Sequence, residues 1–87
     1  MLKFLEVIPG VCISTRRIGS IEVQESKALS GDSDWVILIF SDFIENDKPI
    51  TYTYNHQIFT NREAALAVAH KLVDRCGGGL YMTEVQA

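Results

Sequence analysis

Residues Trp35-Val36-Ile37-Leu38-Ile39-Phe40 form an unbroken apolar run between Gly31-Asp32-Ser33-Asp34 and Ser41-Asp42. A short run rich in aromatic and β-branched residues, bounded by turn formers, describes a central strand buried on both faces. Alternation points Val36, Leu38 and Phe40 one way and Trp35, Ile37 and Ile39 the other. Burying one such side chain is worth roughly 1.5–3 kcal/mol. Three of them left in water would also form an aggregation surface. Whatever else the chain does, it must cover two sides of this strand.

The other strands are read from weaker patterns. Leu2 to Ile8 alternates, and Pro9-Gly10 has the residue order of a type II turn. Such a turn fits poorly into a tight two-residue hairpin, so a bend or a looser loop is expected there. Val11 to Ser14 continues as a short strand, and Thr15-Arg16-Arg17 is a polar link. Ile18 to Gln24 sets Ile21 and Val23 against Ser20, Glu22 and Gln24, a strand with one wet face. Ser26 to Asp34 reads as a loop, and Ser41 to Pro49 as a loop or a flared hairpin end. Ile50 to Ile58 alternates cleanly, with Ile50, Tyr52, Tyr54, His56 and Ile58 on one face.

One helix is expected over about residues 61–76. Thr60-Asn61-Arg62-Glu63 has the form of a capping box, with the Thr60 hydroxyl accepting from the Glu63 N–H. Ala65, Leu66, Ala69, Leu72, Val73 and Cys76 then make one apolar stripe. Small Ala65 and Ala69 let the helix lie close to a sheet. Gly77 is a natural residue beyond a helix end, Gly78-Gly79 allow a turn, and Leu80 to Val85 reads as a last strand. The fold class is therefore α+β. It is an antiparallel, meander-like sheet of about five strands, with one helix packed on one face and a short C-terminal strand. Residues 1–87 make one small domain.

A single helix shelters one side of the central strand. The second side needs a curled sheet, a partner or a second copy. A homodimer through the sheet is the favoured expectation, because two-fold dimers are the commonest oligomers. Trp35, Ile37, Ile39, Tyr52 and Tyr54 are its candidate interface residues.

Catalytic and metal chemistry find little support. His56, His70, Cys12 and Cys76 lie at none of the short spacings of zinc sites. Asp32, Asp34, Asp42, Glu45 and Asp47 fall in two loops at opposite ends of the central strand and read as solvated. Cys76 sits near a helix C-terminus, the wrong pole for a thiolate. Ser14, Ser20 and Ser41 lack a nucleophile elbow. Gly77-Gly78-Gly79 end a helix rather than begin one, so they do not form a phosphate loop. No catalytic, metal or cofactor residue is assigned.

The chain carries eight basic and eleven acidic residues, a net charge of −3. That balance disfavours general nucleic-acid binding. A nucleic-acid-binding regulator would have to use Tyr52 and Tyr54 as a stacking strand with Arg16 and Arg17 beside it. With no leader pattern, no apolar run of membrane length and two cysteines, a cytoplasmic protein with free, buried thiols is expected. In size and mild acidity the chain is similar to many small accessory proteins of phages, plasmids and bacteria. The function expected is a non-catalytic protein-binding module. It would act as a homodimer or bind a protein partner through a sheet face or an exposed strand edge near Ile18–Gln24 or Leu80–Val85. An enzyme subunit with a site at a dimer interface is the third reading.

Overall fold

The structure is a computed structural model that describes residues 3–27, 33–76 and 81–85. Its strands are β1 (Phe4–Ile8), β2 (Val11–Ser14), β3 (Ile18–Lys27), β4 (Ser33–Glu45), β5 (Lys48–Thr53) and β6 (Tyr81–Val85), with α1 (Arg62–Arg75) before β6. β1 and β2 pair as a separate hairpin, and the second sheet runs in the order β5-β4-β3-β6. The class is α+β, with five antiparallel strands divided between two sheets. β6 lies parallel to β3, from Ser20 beside Tyr81 to Gln24 beside Val85. A parallel neighbour needs a crossover connection, and the chain segment from β5 to β6 contains α1. β3 is therefore an interior strand, not the free edge expected near Ile18–Gln24. The Gly77–Gly79 turn and most of the Ser26–Asp34 loop fall outside the described residues.

The two hairpins solve their turns differently. Gly10 has φ +85°, the value a type II turn demands of its third residue. Ile8 still pairs with Val11, so the turn is tight after all. The strands absorb the mismatch by a register shift between Glu6 and Ile8. Between β4 and β5, Asn46 and Asp47 both have positive φ, 53° and 63°, the type I′ geometry that matches strand twist. β4 thus runs on to Glu45, which pairs with Lys48. The ladder shifts register between Phe40 and Ile44. There the buried Ser41 hydroxyl donates to the Ile50 carbonyl at 2.8 Å.

β5 is shorter than its alternation suggests. It ends at Thr53, and Tyr54–His56 form a single tight turn with Asn55 and His56 at φ 55° and 50°. The turn redirects the chain so that Phe59 reaches Trp35. Each donates its N–H to the other's carbonyl at 2.8 Å. Tyr54 and His56 therefore leave the tyrosine strand.

The helix is capped by Asn61 rather than Thr60. The Asn61 side chain accepts from the Ala64 N–H at 2.7 Å. Asn caps as well as Ser or Asp and better than Thr. With the start moved by one residue, Glu63 is the second helical residue, too early for the reciprocal box. It lies beside Arg62 instead, at 3.7 Å, and its charge favours the positive helix end. Ala65, Ala69 and Leu72 are buried. Leu66, Val73 and Cys76 are partly buried against the same core.

That core lies on one side of the larger sheet. Ile21 and Val23 of β3 stand opposite Ile39 and Ile37 of β4, and all four have no exposed surface. The helix covers them. Leu5, Val7 and Ile13 of the small hairpin join the same cluster, with Tyr52 and Tyr54 packed at its margin. Helix and hairpin together close this side.

A candidate protein-contact face

The opposite side of the sheet is built from the alternate residues. Val36 pairs with Gln24, Leu38 with Glu22 and Phe40 with Ser20. Across β4's other edge, Leu38 pairs with Thr53 and Phe40 with Thr51. Directly paired residues share a face. The result is an apolar stripe one strand wide, Val36-Leu38-Phe40, between a Ser20-Glu22-Gln24 flank and a Thr51-Thr53 flank. The three apolar residues are half-buried, and among the described residues neither α1 nor the β1–β2 hairpin lies on their side of the sheet. Beyond the register shift the stripe continues to Ile44, paired with Pro49 and 64% exposed.

The sequence placed its candidate interface residues on the other parity, the side that the structure packs into the core. Trp35, Ile37 and Ile39 are 8%, 0% and 0% exposed within the chain's own core. They pack in one cluster with the helix and the hairpin. Tyr52 faces the same closed side opposite Ile39. Tyr54 packs against the core from its turn. Neither stands on an open sheet where a base could stack. The residues that sequence reasoning passed over are Val36, Leu38 and Phe40. Their signal lay in β3, whose wet side must continue across the ladder onto one side of β4.

Arg16 and Arg17 occupy the turn between β2 and β3 and are exposed. Arg17 reaches Asp42 at 3.5 Å, and its guanidinium lies 5.6 Å from the Phe43 ring centroid. This places a charge pair and a cation–π contact at the base of the β4–β5 hairpin, so Arg17 is partly neutralised.

Among the described residues the titratable groups do not converge. His56 and His70 are exposed and lie on different elements. Among the described residues no cluster of three His, Cys, Asp or Glu could hold a metal ion. Cys12 and Cys76 are free thiols. Cys12 faces solvent, contrary to the expectation of burial. Cys76 borders a hollow of about 390 Å³ with Lys3, Phe4, Leu5, Thr15 and Arg75. Burial raises its pKa, and the nearby Arg75 and Lys3 only partly oppose this. It is held as a thiol, not poised as a nucleophile. Among the described residues no helix is long and apolar enough to cross a membrane.

Compared with models of known protein families, with curated proteins and with solved structures, the chain matches none. Its function has to be argued from the face itself.

Proposed function

We propose that this is a non-catalytic protein-binding module whose contact surface is the open face of the β5-β4-β3-β6 sheet. One observation carries the reading: the Val36-Leu38-Phe40 stripe stands half-exposed on the side away from both the helix and the hairpin. An apolar centre with a polar margin is the anatomy of an interface. Glu22 and Gln24 on one flank and Thr51 and Thr53 on the other would supply the rim. The β5 edge suits the purpose less well. β5 begins Lys48-Pro49, and Lys and Pro on an edge strand discourage strand addition.

The test is site-specific photo-crosslinking inside the native host. A photoreactive phenylalanine at position 38 is expected to give a protein adduct. The same group at Lys71, on the exposed side of the helix, is expected to give none. Absence of any adduct at 38, in a protein whose helical circular dichroism is unchanged, would refute the reading.

A further inference from the structure

We infer that the occupant of this face is a second copy of the same chain, related by a two-fold axis running parallel to β4. The inference rests on the face being a contact surface, and adds who sits on it and in which direction.

Size argues for a sheet as the occupant. With strands about 4.8 Å apart and residues about 3.3 Å apart, β4 over Asp34–Ile44, flanked by β3 as far as Ser41 and by β5 from Leu38 on, offers on the order of 400 Å² of sheet surface. A stable interface needs about 500–800 Å² per partner, so its occupant must cover the whole of this face. A single bound peptide strand would cover only part of it. A second twisted sheet of the same hand can lie over all of it at about 10 Å, crossing by roughly 30°. Its own Val36-Leu38-Phe40 stripe would meet this one.

The flanks choose the direction. With the strands of the two sheets aligned to within about 30°, the two-fold axis in the plane between them runs close to parallel or close to perpendicular to β4. An axis perpendicular to β4 through Leu38 sets β3 over β3. Glu22, level with Leu38 in the ladder, then confronts the Glu22 of the other copy, two like charges in a drying interface. An axis parallel to β4 exchanges the flanks. Thr51 and Thr53 of one copy lie over Ser20 and Glu22 of the other, so each Glu22 carboxylate meets the Thr53 hydroxyl. The same axis brings both β4–β5 hairpins to one end. The two exposed Ile44 side chains then face each other across the axis. The perpendicular axis would leave them about 40 Å apart, twelve residues of strand.

The experiment is Ile44→Cys treated with a short bis-maleimide at several protein concentrations, beside sedimentation of the untreated wild type. Peptide mapping identifies the linked residues, so native Cys12 and Cys76 can stay in place and folding does not depend on their removal. The expected result is a wild-type dimer with a dominant 44–44 linkage, lost when Leu38→Asp is added. A dimer sensitive to Leu38→Asp but without 44–44 linkage would overturn the parallel axis and leave the contact face standing. A wild-type monomer at all concentrations, with a foreign protein crosslinked at position 38 in the host, would overturn self-pairing alone. No adduct at position 38 would remove both.

Discussion

The sharpest perturbation compares two neighbours on β4, Ile37→Ala and Leu38→Ala. Ile37 has no exposed surface and sits opposite Val23 beneath the helix. Its truncation removes the transfer energy of the lost carbons and leaves a cavity, together about 2–5 kcal/mol. A domain of this length has about 4–13 kcal/mol in total, so the variant should lose a large part of its stability. Each kcal/mol lowers Tm by about 4–8 °C at this size, and a drop of at least about 10 °C is expected. Leu38 is only half-buried, on the side of the sheet away from the helix and hairpin. Its truncation should cost the isolated chain about 1 kcal/mol, roughly half of a full burial. Urea unfolding followed by circular dichroism measures both. Self-pairing adds a second signature, because an associated native state gains stability with concentration. The Leu38→Ala penalty should grow between ~2 μM and ~200 μM protein, and the Ile37→Ala penalty should change little. Equal penalties for the two variants at low concentration would refute the assignment of the two sides of β4.

Three further expectations follow from local geometry. Asn61→Ala should cost about 1 kcal/mol and Thr60→Ala within about 0.5 kcal/mol; unfolding curves giving the reverse order would return the cap to Thr60. Asp47→Gly should stabilise the chain by about 0.4–1 kcal/mol, since φ 63° suits glycine better, and a loss of stability on melting would contradict the type I′ turn. Alkylation followed by mass spectrometry should modify exposed Cys12 first. Cys76, its thiolate disfavoured by burial, should react in the folded protein only at higher pH than an ordinary thiol, and unfolding should abolish that lag.

The local grammar was legible in the residues alone. The apolar run at Trp35–Phe40, the alternation of Ile18–Gln24 and the helical stripe ending near Cys76 each name their element, because side-chain period follows backbone geometry. Boundaries that hang on a single residue were not legible. Thr60 and Asn61 are both competent caps, and Ile50–Ile58 alternates even though the left-handed residues Asn55 and His56 break the strand.

From the amino acids it follows that β4 has two apolar sides and that one amphipathic helix can dry only one of them. Which side it dries is a matter of register. The pairing of Ile37 with Val23 and Leu38 with Glu22 puts the helix and hairpin over the odd-numbered residues and leaves Val36, Leu38 and Phe40 open. Sliding one strand by a single residue would exchange the two sets with no change in composition. For that reason only the folded chain could say which side of β4 stays open.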